Sequence, residues 1–309
     1  MKRIACWLFA FLPILGYSQG CSDSGFCTMG VLKPDQFYSK IFRIRLNSIE
    51  LTQHIGTTKY GDWIHSTFVD ANVGITRKMN VQVRLPAYTI IQGNMPTTRG
   101  WGDLFINVSQ NIIAKEKFQL NATAGIKIYT SQPDKSSEEG LHMPLYQQTS
   151  YGSNDINIGA SLITRQWMFA VGYQHALNQI SNRFSSQQWV GHAQYNAVKV
   201  YDASSGLVRG DDFMFRVERN FRLSRFNFHV GTLQLWRINA DKTLSTSDIL
   251  QSVNGSSGLT VNMLIGGGYQ FNASMGIRVL TSFKLKERDV NPDGLSRDFI
   301  GQVAYIIRF

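Results

Sequence analysis

The stretch Phe118-Gln119-Leu120-Asn121-Ala122-Thr123-Ala124-Gly125-Ile126-Lys127-Ile128-Tyr129 decides how this chain is read. Its apolar residues fall on every second position, so in an extended strand they share one face. Gln119, Asn121, Thr123 and Lys127 share the other. The run is also long. A tilted strand needs about 9–11 residues to cross a bilayer's hydrocarbon, whereas strands of globular proteins usually run about five or six.

The same pattern recurs on either side. Val81, Val83 and Leu85 alternate with Asn80, Gln82 and Arg84, and Leu104, Ile106 and Val108 with Asp103, Asn107 and Ser109. Ile156, Ile158, Ala160 and Leu162 alternate with Asp155, Asn157, Gly159 and Ser161. Phe213, Phe215 and Val217 oppose Asp212, Arg216 and Glu218, and Leu259, Val261, Met263 and Ile265 oppose Thr260, Asn262 and Leu264. The connections alternate as well. Short ones lie at 77–78, 115–117, 165–166, 222–224 and 272–274; long ones lie at 56–62, 91–100, 130–151, 177–208, 239–257 and 287–296. Short turns on one side and long loops on the other are the habit of a membrane β-barrel. The expectation is an all-β, antiparallel transmembrane barrel of about 12 strands, or about 14 if Trp189–Tyr195 forms another hairpin. On the last strand Phe299, Val303, Tyr305, Ile307 and Phe309 share one face. That ending is similar to the assembly signal of outer-membrane barrels, carried here by Tyr305, Ile307 and Phe309.

Composition agrees. The 309 residues carry a net charge of +10 with 17% charged residues, and the mean hydropathy is −0.15. That is too polar for a helical membrane bundle, yet natural for strands whose two faces average out. Lys2 and Arg3 precede an apolar stretch from Ile4 to Leu15, with small residues at Gly16 and Ser18. Residues 1–18 read as a signal peptide cleaved after Ser18. Residues 19–40 read as a short periplasmic extension and 41–309 as the barrel. Cys21 lacks the aliphatic residue that a lipid-attachment signal places three before it, so lipidation is not expected. With Cys6 removed, Cys21 and Cys27 remain, and export favours a disulfide between them over free thiols.

The residues able to carry chemistry fall in no catalytic arrangement. A barrel phospholipase needs His and Ser two apart on one strand face; His65 is followed at once by Ser66, and His175 has Leu177 two residues on. Asp211 and Asp212 are adjacent and point to opposite faces, so they mark the start of a strand rather than a catalytic pair. The six His residues show no ligand spacing, so neither a metal nor a cofactor is expected. Basic residues are scattered one or two per turn, which argues against nucleic acid. Those turns meet anionic headgroups or simply stay wet. Asp70, Arg84, Asp103, Lys127, Arg216, Glu218, Arg278 and Lys284 fall on polar faces at membrane depth. Facing lipid, a midplane Arg or Lys would cost about 2–4 kcal/mol, so these side chains are expected to line the lumen. They then form either a plug of ion pairs or a polar permeation path.

Thr98-Arg99-Gly100-Trp101-Gly102-Asp103, with Arg84-Leu85-Pro86-Ala87-Tyr88 before it, resembles outer-membrane channels related to fatty-acid and hydrocarbon transporters, including the phenol-degradation group. Cys21 to Cys27 and the following extension resemble Bacteroidetes outer-membrane proteins. The resemblance implies uptake of small, hydrophobic molecules included, and it does not name a ligand. Fatty-acid channels carry a longer N-terminal plug than residues 19–40 supply. The sequence thus points to a Gram-negative outer-membrane, porin-like transport channel that is not an enzyme. Its expected partners are outer-membrane lipids, the barrel assembly machinery and a small solute. The alternative is a structural or adhesive barrel with a blocked lumen and partner-binding loops; an outer-membrane enzyme is the third reading.

Overall fold

The computed structural model describes residues 45–245 and 247–309. The leader, the extension and the Cys21–Cys27 pair lie outside the described residues. The strands are β1 (Arg45–Thr57), β2 (Trp63–Gly74), β3 (Met79–Arg84), β4 (Tyr88–Gln92), β5 (Thr98–Trp101) and β6 (Leu104–Ala114). Then come β7 (Phe118–Ile128), β8 (Asp155–Thr164), β9 (Trp167–Ala176), β10 (Asp212–Leu223) and β11 (Phe226–Arg237). β12 (Lys242–Leu244), β13 (Leu250–Ser252), β14 (Gly258–Gln270), β15 (Met275–Lys286) and β16 (Phe299–Arg308) complete the set.

Fourteen strands form one antiparallel sheet, and it closes because β1 pairs with β2 on one side and β16 on the other. β3 and β4 both pair with β2, so they make a single stave; β5 and β6 make the next. The barrel therefore has 12 staves. The break in the first of these falls at Leu85-Pro86-Ala87, where proline has no N–H to give a ladder. Across the break the Gly102 N–H donates to the Ala87 carbonyl at 2.7 Å.

The 14-stave alternative is corrected. Ser186–Trp189 is a 3₁₀ turn and α1 (Tyr195–Val198) a single helical turn. Trp189, Val198 and Tyr201 bury one shared cluster with Phe184, which a two-residue alternation would have split between two faces. The connection read as 91–100 is shorter, because β4 and β5 pair across residues 93–97. The connection read as 239–257 carries its own hairpin, β12–β13.

The outer wall is apolar and aromatic. Ile158 is 56% exposed and Phe226 61%. A soluble protein seldom shows so much contiguous apolar surface, whereas a lipid-facing wall must. Phe226 and Trp236 stand ten residues apart on β11. At about 3.4 Å per residue and a tilt of about 40°, that is roughly 26 Å along the axis, close to the height of a membrane barrel's apolar band. Tyr305, Ile307 and Phe309 lie on this outer wall. The sequence pattern produces this inversion directly: one phase of each strand faces out, the other in.

The long loops do not stay outside. Segments 129–154, 177–211 and 287–298 fold over one end of the barrel, where Met143, Tyr146, Phe184, Trp189, Val198 and Tyr201 pack together. Gly294, at φ +67°, lies against the backbone of Leu145 and Tyr146 so closely that a Cβ would collide with them. We call this the loop end. The opposite, turn end is built from tight hairpins.

Candidate functional site

The candidate site is the barrel interior together with its two mouths. All eight charged residues singled out from the sequence are on the inner side, and register explains their partners. Asp70 and Arg84 sit directly opposite on β2 and β3. Arg84 grips Asp70 through Nε at 2.9 Å and a second nitrogen at 3.1 Å, and stacks over the Phe68 ring at 4.1 Å. Arg216 and Glu218 are two apart on β10 and bond at 2.7 Å. Arg278 pairs with Glu50 across β16. Lys284 reaches Glu287 at 2.6 Å and Asp298 at 2.8 Å.

Lys127 and Asp103 enter a larger network. Lys127 faces Asp155 across β7 and β8, 2.9 Å away, with Asp103 at 4.0 Å. Asp155 also binds Arg209 at 2.9 Å, and Arg209 binds Asp212 at 3.3 Å. Asp212 sits opposite Arg237, 2.7 Å away. Arg237 continues to Asp241 and, at 2.7 Å, to Asp293; Arg288 binds Asp293 at 3.1 Å. The wall strands β10 and β11 are thereby tied to three loops, through Arg209, Asp241 and Asp293. All of these ions but the half-buried Asp212 are buried, and such pairs add little net stability; removing one member, however, leaves an uncompensated buried charge. Burial alone would raise the Asp293 carboxyl, but Arg288, Arg237 and Arg209 hold it well below the usual carboxylate range. Burial pushes Asp241 the other way, upward.

Arg209, Arg237, Asp241, Arg288 and Asp293 were not singled out from the sequence. Arg237 had a signal: it shares its phase on β11 with His229 and Leu233. The loop residues had none. Arg288, in the long connection 287–296, pairs with Asp241 and Asp293.

The inner wall is not uniformly polar. β6, β7 and β8 turn Asn107, Ser109, Asn121, Thr123, Asn157 and Ser161 inward. The next strands round the barrel, β9, β10, β11 and β14, bury Met168, Ala170, Met214, Leu233 and Leu264 among polar residues such as Arg216, Glu218, His229 and Asn262. Under the loops a cavity of about 60 Å³ remains, lined by His54, Ile64, Phe68, Arg84, Asp103 and Arg297 among others. On β14 the glycine run makes space: a Cβ at Gly266 would strike the His229 ring.

Compared with solved structures, the chain is similar to an outer-membrane channel from Pseudomonas putida F1, with a TM-score of 0.57 at 10% identity. The match covers 89% of this chain and 99% of that one. Outer-membrane channels share this fold. The NanC porin is also similar, at a TM-score of 0.49 and 9% identity, over 84% of this chain and 100% of that one. No family model and no curated protein matches the sequence.

The channel-like barrel has a second, larger cavity of about 400 Å³ at its turn end. Its walls are the hairpin turns 115–117, 165 and 222–225 with the inward ends of β14, β15 and β16. Among the described residues no group of three or more His, Cys, Asp or Glu is placed to hold a metal ion.

Proposed function

We propose that this protein is an outer-membrane channel for small molecules, hydrophobic ones included, whose loop end is closed in the conformation described. The observation that supports it best is the mixed interior. Inward polar side chains such as Asn107, Asn121 and Asn157 share it with inward apolar ones such as Met214, Leu233 and Leu264, a combination that suits a solute with both kinds of surface. The reading includes an exported chain, an outer-membrane location, contact with membrane lipids and the assembly machinery, and no catalytic role.

One set of observations favours the other reading, a blocked structural or adhesive barrel: the eight charges are paired and the loops cover one mouth. The cap, however, is made of loops tied by ion pairs, and ion pairs can be removed. The test is single-channel recording in planar bilayers on the native protein and on Arg237→Ala, with liposome uptake of a small aromatic and of a sugar. The channel reading expects larger or more frequent openings in Arg237→Ala and preferential uptake of the aromatic. Silence from both proteins, with the barrel still migrating as a folded species, would leave the structural reading.

A further inference from the structure

We infer that the turn-end mouth is a binding site for a small multivalent oxyanion of the phosphate class. The hairpins around it contribute Lys115 and Lys117, Arg165, and Arg222 with Arg225. One carboxylate, Glu116, stands among these five cations. Deeper in the same cavity lie Arg278, which is matched by Glu50, and Arg308. Among the described residues none of the five turn cations is in an ion pair, and all five are exposed. The loop end is the contrast: there every buried cation of the network meets a carboxylate.

The arrangement is not merely a wet rim. The five charges come from three separate hairpins and converge on one cavity of about 400 Å³. Side chains needed only for solubility have no reason to share a concavity. A concave ring of one sign focuses the local potential and concentrates counter-ions. Three of the five are arginines, whose planar forks match phosphate oxygens two at a time. Each exposed pairing is weak on its own, so the ligand that gains most is small and carries several charges. Because inward residues of β14 and β15 line the same cavity, the ligand sits in the mouth rather than on the outer rim. The site does not depend on whether the lumen conducts.

Binding is measured by calorimetry with inorganic pyrophosphate on the detergent-solubilised full chain, at about 20 mM and about 200 mM salt. The expected result is saturable binding that weakens at the higher salt. The double variant Arg165→Gln/Arg225→Gln should weaken it about tenfold. Arg219→Gln should leave it unchanged, because Arg219 stacks on Trp167 and Phe221 on the outer wall. Absence of saturable binding at low salt would overturn the proposal, as would equal loss in the Arg219 variant. Heat-dependent gel migration confirms that each variant is a folded barrel. Repeating the titration in nanodiscs separates two sources of the anion. If phosphatidylglycerol discs lower the pyrophosphate affinity relative to phosphatidylcholine discs, a lipid headgroup competes for the cradle. Equal affinity in both assigns it to a soluble anion.

Discussion

At the loop end the Arg237 side chain is 2% exposed and touches Asp212, Asp241 and Asp293. At the turn end Arg225, the same chemistry, faces water beside a cavity. The two positions differ in what surrounds the charge. Burial at the loop end made pairing obligatory, since a lone buried ion costs several kcal/mol. Exposure at the turn end leaves the charge solvated and available. One residue type thus serves as a fastening at one mouth and as a lure at the other, and the backbone decides which by where the loops fold.

The largest effect should come from undoing the fastening. Arg237→Ala leaves the buried Asp241 and Asp293 and the half-buried Asp212 each short of a partner and should destabilise the cap by about 3–5 kcal/mol. Limited proteolysis would read this as faster cleavage within 238–257 and 287–298, with the barrel itself intact. An unchanged digestion pattern would mean that apolar packing alone holds the loops.

Next in size is a charge forced onto the lipid face. Val171, in the middle of β9, is 40% exposed on the outer wall. Val171→Arg should cost about 2–4 kcal/mol at the midplane and lower the folded fraction on refolding into vesicles. Full refolding would show that this wall does not face hydrocarbon.

The response of the cap to pH should be smaller and two-sided. Asp293 is held below its unfolded pKa, so its stabilisation is present above about pH 4 and lost as pH falls through the lower folded value. Tyr201 donates to Asp62 at 2.8 Å, and burial followed by the Asp62 charge raises its phenol well above its usual value. Its contribution is complete below about pH 10 and lost as pH rises further. Tryptophan fluorescence should therefore change as pH falls below about 4 and again as it rises above about 10. Fluorescence unchanged at both extremes would contradict the assignment of Asp293 and Tyr201 to the cap.

The smallest effect sharpens the contrast from the other side. Arg165→Gln at the turn end should change unfolding free energy by less than about 0.5 kcal/mol, as exposed substitutions usually do. A urea titration in detergent would register a larger loss if Arg165 had a buried partner.

The staves were legible because lipid outside and a packed interior impose one period on every strand, and Phe118–Ile128 shows it without a break. Partners one register step away were within reach too, as Asp70 opposite Arg84 illustrates. The cap was not legible. Trp189 donates to the His142 carbonyl at 3.0 Å and packs in one cluster with Tyr146, contacts between loops that no local period announces. Nor were the inward apolar residues: Met214 lies between Phe213 and Phe215, so hydrophobicity alone gives no phase. The pairing of Glu50 with Arg278 spans 228 positions and follows only from closure.

That closure has a consequence for the order of events in making the protein. Ser48 pairs with Arg308 and Thr57 with Phe299, and the Phe309 N–H donates to Asn47. The seam joins segments about 250 residues apart, and bringing such ends together costs about 5 kcal/mol of chain entropy before the first hydrogen bond forms. No shorter piece of the chain can repay it, because every earlier intermediate is a curved sheet with two unpaired margins, each a template for a neighbouring molecule. The seam therefore acts as a completeness check: only a molecule that includes β16 can lose both margins at once.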